Sequence, residues 1–128
     1  MRYIVVVVLL LLTPITRGSE EEWTFRHVRL LVTGYCPGEC CCGDHADGLT
    51  ATGEDAQNPG VAVDPELIRL GARLDIPGYG ELRGWWSPAD DVGGKIKGNR
   101  IDVRFASHRE AIEWGKKLLK VRVWEKSQ

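Results

Sequence analysis

Six short apolar runs, several alternating apolar with polar residues and most bounded by glycine or proline, constrain this chain most. In "HVRLLVTGY" (27–35), Val28, Leu30 and Val32 share one face. "GVAVDP" (60–65) is a brief apolar run halted by Pro65, and "ARLDIPG" (72–78) alternates Leu74 and Ile76 with charge. "ELRGWW" (81–86), "RIDVRF" (100–105) and "KVRVWE" (120–125) complete the set. A period of two belongs to strands with one buried face. Several short strands separated by turn residues predict a small closed β-barrel.

One segment carries the helical period. Ser107 and Glu110 form an S-x-x-E capping box ahead of Ala111, Ile112, Gly115, Leu118 and Leu119, which fall on one helical face. Lys116, Lys117 and Lys120 then lie near the carboxyl end, where the helix dipole favours cations. A further helical turn is expected in "PELIRLG" (65–71). The fold class expected is mainly β, with one α-helix in the C-terminal half.

The first residues, "MRYIVVVVLLLLTPITRGSE", have the form of an export signal. Arg2 is basic, Ile4–Leu12 is apolar, and Thr16 and Gly18 are the small residues of a cleavage site after Gly18. The apolar run is too short for the roughly 20 residues that cross a bilayer. Expected bounds are therefore a signal peptide at 1–18, a loose leader at 19–27 and one domain at 28–125. Export to a periplasm, the cell wall or the medium follows, with no stable membrane insertion after cleavage. Without Arg2 and Arg17, fifteen basic and eighteen acidic side chains remain, a net charge of −3. That balance offers nothing to nucleic acid or to an anionic lipid surface.

The four cysteines, 36, 40, 41 and 42, crowd into "CPGECCCGDH". In an oxidising compartment they suit a disulfide-closed loop, and four cysteines allow three pairings. Zinc held by cysteines and His45 is the weaker alternative, because no C-x2-C spacing is present. The expected metal content is none, and no cofactor is expected.

"DDVGGKIKGNRID" (90–102) is the densest polar motif. It lacks the lysine and hydroxyl that follow the second glycine of a phosphate loop. It also lacks the alternating oxygens and final glutamate of a calcium loop. What remains is Asp91, a glycine-rich reversal, and Asp102 inside a strand whose Ile101, Val103 and Phe105 face the other way. Asp64 closes the apolar run before Pro65. On pattern alone, Asp102 reads equally as an exposed strand carboxylate and Asp64 as a turn or cap residue.

Taken in order, "VTGYCPGECCCGDHADGLTATG", "VAVDPELIRLGARLDIPGYGE", "DVGGKIKGNRIDVRF" and "EAIEWGKK…VRVWE" resemble the three-aspartate (3D) domain of stationary-phase survival proteins and some resuscitation-promoting factors. "DVGGKIKG…D" is also similar to the catalytic core of membrane-bound lytic transglycosylase A. The resemblance spans roughly 28–125. It implies a six-stranded double-psi β-barrel that cleaves the MurNAc–GlcNAc β-1,4 bond of peptidoglycan, leaving 1,6-anhydro-MurNAc ends. The family's three aspartates fall on Asp64, Asp91 and Asp102, with Asp102 as general acid, then base. The chain departs from the pattern at Val92, where small 3D proteins carry threonine, and in its long aromatic "LRGWWSPAD" and its triple cysteine.

Glycoside cleavage needs a carboxylic acid whose pKa is raised, by burial or by a neighbouring carboxylate. Asp102, with Asp91 and Asp64, is the expected set. Tyr35, Tyr79, Trp85 and Trp86 are candidate sugar platforms. Thr50 and Thr52 are candidate cleft residues, and Lys95 and Lys97 candidate partners for the glycan's carboxylates. Trp114 and Trp124 are read as packing residues. The partner expected is a peptidoglycan glycan strand. Two other readings stay open: a non-catalytic polysaccharide-binding module of barwin or expansin type, and a two-aspartate glycoside hydrolase.

Overall fold

The computed structural model describes residues 18, 20–79 and 85–128. All but the last residue of the expected export signal, and 81–84 of the "ELRGWW" run, lie outside them. The described elements are β1 (Trp23–Tyr35), α1 (Glu39–Cys42), β2 (Val61–Ala62), β3 (Arg73–Asp75), β4 (Ser87–Asp91), β5 (Arg100–Arg104), α2 (His108–Trp114) and β6 (Lys117–Lys126). The strands close into a barrel in the order β1-β5-β2-β4-β3-β6. β1 runs parallel to β5, and β2 parallel to β4. The remaining pairs are antiparallel. Two parallel pairs joined through the antiparallel β5–β2 pair are what the expected double-psi arrangement requires.

The barrel closes around fully buried apolar side chains supplied by β1, β2, β3, β5 and β6. Leu30, Val32, Val61, Leu74, Ile101, Val103, Val121 and Val123 are all shielded completely from solvent. Burial of each such side chain stabilises the fold by roughly 1.5–3 kcal/mol. Tyr79 sits among them, its ring edge-on to Phe105 and Trp114.

Several elements differ from expectation. β1 begins at Trp23, so residues 23–27 of the expected leader belong to the barrel, paired with β6 from Trp23↔Lys126 onward. Among the described residues after 80, the next strand is "SPADD", which the sequence reading did not expect. Proline and aspartate are poor strand formers, so tertiary pairing overrides local preference there. "PELIRLG" makes one turn, in which Ile68 N–H donates to Asp64 C=O at 2.9 Å.

The helix starts as expected, with Ser107 Oγ accepting from Glu110 N–H at 3.3 Å. It stops at Trp114, because Gly115 takes φ 69° and ψ −140°. Leu118 and Leu119 are therefore strand residues. Leu119, Val121 and Val123 point inward with period two, while Leu118 and Ile112 are exposed. α2 lies on β1, where Trp114 Nε1 donates to Val32 C=O at 3.3 Å. A Cβ on Gly34 would meet Ala111 C=O and the Phe105 ring at 3.0 Å, so this approach needs glycine.

Candidate functional site: a carboxylate cleft on the outer barrel face

The strand register lays one row of side chains across four strands. Thr33 on β1 pairs with Asp102 on β5, Asp102 with Ala62 on β2, and Ala62 with Asp91 on β4. Directly paired residues share a face. The neighbours Ile101, Val103 and Val61 point into the core, so this row points outward. Ala62 contributes only a methyl group between two carboxylates whose backbones lie two strand spacings, about 10 Å, apart. A groove floor results.

A one-residue register shift between Val61 and Ala62 aims Asp91 into that row. Val61 pairs with Ala89, but Ala62 pairs with Asp91, leaving Asp90 as the extra residue. Simple alternation would put Ala89 and Asp91 on the same face. Irregularities of this kind re-aim side chains beside functional sites.

Loops 41–51 and 91–97 wall the groove into a cleft of about 630 Å³, a size that suits a ligand. Tyr35, Thr50, Ala62, Asp91, Lys97 and Asp102 are among the residues lining it. Leu49 and Val92, large apolar side chains left exposed, also border it. Tyr35, Ala62 and Ile96 form a small second core beneath.

The two cleft aspartates differ in their partners. Asp91 is held by three donors: Tyr35 Oη at 2.9 Å on one oxygen, and the N–H groups of Ala51 and Val92, each at 3.0 Å, on the other. Asp102 is half-buried and accepts from Thr33 Oγ1 at 3.0 Å. Burial pushes its carboxyl up, against the opposing pull of the Thr33 hydroxyl and nearby Arg100. Asp64 is not among the cleft-lining residues. Its oxygens accept from Gly98 N–H at 2.8 Å and Glu66 N–H at 3.1 Å, fixing the base of the 93–98 turn. Those two backbone donors hold its carboxyl below the ordinary range.

The other candidates separate. Thr50 lines the cleft, and Thr52 is exposed without lining it, its hydroxyl 3.1 Å from that of Thr50. Lys97 lines the cleft, whereas Lys95 sits in the same turn without lining it. Tyr79 belongs to the core, its hydroxyl donating to Arg104 C=O at 2.5 Å. Trp85 and Trp86 are away from the cleft: Trp85 packs edge-on to Trp124, and Trp86 lies under the Arg73 guanidinium. Trp114 and Trp124 pack, as expected.

Sequence reading missed an ion pair behind the cleft. Arg104 is 1% exposed and binds Asp90 through two hydrogen bonds, at 3.0 and 2.8 Å. It also donates to Asn58 C=O at 2.7 Å and to Tyr35 Oη at 3.0 Å. Burial pushes the Tyr35 phenol up, so it stays protonated and donates onward to Asp91. Strand alternation puts Arg104 on the outward face with Asp102. Nothing local reveals that loop 56–60 covers it. Gly60 is the one trace, since a Cβ there would stand 2.2 Å from Arg104 Nη2 and 2.5 Å from both Asp90 oxygens.

A closed six-stranded barrel with a carboxylate-bearing external cleft is the class of protein defined by fold and site. A family profile described as the 3D domain matches residues 59–125, more than half of the chain, and the chain belongs to that family. Among curated relatives, the "Cell wall-binding protein YocH" of Bacillus subtilis (strain 168) is 46% identical over 80 residues. That match covers 59% of this chain and 26% of the relative. The "Putative cell wall shaping protein YabE" of the same organism is 35% identical over 115 residues, 87% of this chain and 26% of the relative. The chain thus spans about a quarter of each of these relatives. Among solved structures, a mutant expansin of Clavibacter michiganensis in complex with cellohexaose has a TM-score of 0.43 at 15% identity. The match covers 80% of this chain and 51% of the expansin. No helix among the described residues is long and apolar enough to cross a membrane.

Proposed function

We propose that this 3D domain acts at the cell wall as a lytic transglycosylase on peptidoglycan, cutting the MurNAc–GlcNAc β-1,4 bond. The observation that carries this reading is the environment of Asp102: a half-buried carboxyl on a ligand-sized cleft, its acidity weakened by burial, with Thr33 orienting one oxygen. Such a carboxyl keeps its proton to higher pH than an exposed aspartate and can hand it to a leaving glycosidic oxygen. Asp102, now ionised, takes the proton from the muramyl 6-hydroxyl. That oxygen attacks the anomeric carbon, closes the 1,6-anhydro ring and regenerates the acid. One proton-carrying carboxyl is sufficient.

Asp91 has its oxygens already engaged by three donors, which suits a fixed acceptor for a sugar hydroxyl better than a second proton carrier. Asp64 is a positioning residue that fixes the turn carrying Lys97. Lys97 would meet a glycan carboxylate, and Leu49 and Val92 the apolar face of a pyranose ring. Location at the cell wall outside the cytoplasm fits the names of the curated relatives.

Those names speak of binding and shaping, which favours one second reading: a wall-binding module that does not cut. Incubation with purified sacculi followed by mass spectrometry separates the readings. Anhydro-muropeptides released by wild type and lost in Asp102→Asn, with sacculus binding retained, support cleavage. Binding with no soluble product refutes it in favour of the module. New reducing ends instead of anhydro ends refute it in favour of hydrolysis.

A further inference from the structure

Beside the cleft, three thiols and an imidazole converge. Cys36 Sγ lies 3.1 Å from both Cys40 Sγ and Cys41 Sγ. His108 Nδ1, at the start of α2, lies 3.5 Å from Cys41 Sγ and 3.9 Å from Cys36 Sγ. All four donor atoms fall within 4.8 Å of one another. We propose that Cys36, Cys40, Cys41 and His108 form a Cys3His site for zinc or a similarly thiophilic divalent ion.

The geometry favours an ion over a disulfide. Zn–S bonds of about 2.3 Å and Zn–N bonds of about 2.0–2.1 Å at tetrahedral angles set S···S near 3.8 Å and S···N near 3.6 Å. The two S···N distances bracket that figure, and the sulfurs need to spread by roughly 0.7 Å. A disulfide would join Cys36 to one neighbour, strand the other, and give the imidazole no role. Cys42 is the natural control, because its thiol turns away toward Cys36 C=O at 3.4 Å. The weaker zinc alternative read from sequence used His45; the histidine that the fold brings near is 67 residues from Cys41.

Four protein ligands fill a tetrahedron and leave no open position, so the site is structural. It joins the loop that carries Cys41 and Cys42, both cleft-lining, to α2 on the barrel. A second cavity touches Cys41, His108 and Asp102 together, so the ion would brace the wall next to Asp102. This inference is independent of whether the cleft cuts glycan.

The test is metal content and thiol count on the protein purified without chelator and desalted. About one zinc per chain is expected in wild type and Cys42→Ser, with at least a tenfold loss in His108→Ala and Cys36→Ser. On native protein Cys42 should react with a thiol reagent, and all four after denaturation with chelator. As a check that needs no variant, chelation of wild type should lower the melting temperature and added zinc restore it. Wild type that retains no zinc when supplied with it overturns the site. Fewer than four thiols after denaturation without reductant overturns it in favour of a disulfide.

Discussion

Asp102 and Asp91 stand in one row of the barrel, yet their surroundings make them chemically different. Ionising Asp102 in the folded protein costs more than in the unfolded chain, because burial raises its pKa. That cost is fully present above its folded pKa and vanishes below the ordinary aspartate value of about 3.9. Asp102→Asn should therefore be more stable than wild type at pH 7, with the gap closing as pH falls toward about 4. Urea titrations of both proteins at the two pH values check this, and a gap that stays constant contradicts it. Behind the cleft, Asp90→Ala leaves the Arg104 guanidinium buried without its carboxylate, which should cost about 3–5 kcal/mol. Adding Arg104→Met should recover part of that loss, since two apolar groups need no partner. Purely additive effects in a double-mutant cycle would show that the two residues do not act as a pair.

At the scale of elements, the turn from α2 into β6 decides how much of the C-terminal segment becomes strand. Gly115 holds φ 69° and ψ −140°, a region open essentially to glycine alone. Gly115→Ala should destabilise the protein by about 1–3 kcal/mol, read as a lower urea midpoint, with α2 still capped by Ser107. An unchanged midpoint would mean that another backbone path joins helix to strand. The extent of β6 was not legible beforehand, because Leu118 and Leu119 fit a helical face as well as a strand. Once Gly115 breaks the helix, the alternation of Leu119, Val121 and Val123 against β1 takes over. β4 shows the reverse case. "SPADD" has almost no intrinsic strand preference and is held by pairing with β2 and β3.

For the whole molecule, closure joins residues far apart in the chain, Trp23 with Lys126 and Leu31 with Arg100. Such non-local pairing must be in place before burial rewards it, so refolding should take milliseconds to seconds. Stopped-flow fluorescence of the tryptophans checks this; full recovery in microseconds would contradict it. The sequence by itself determined the barrel. Period-two apolar runs with turn residues between them have few other ways to bury one face, and the helix start was written in a capping box. The sequence's resemblance to the 3D domain also singled out Asp64, Asp91 and Asp102, which strand and turn patterns alone left open. Only the tertiary structure decided what each does. A register shift aims Asp91 outward, two backbone N–H groups take up Asp64, and partial burial weakens the acidity of Asp102. Tyr79 lies in the core, and His108 meets the cysteines, for the same physical reason. Burial and convergence arise from what packs against a residue across the fold, and alternation along one strand carries no record of it.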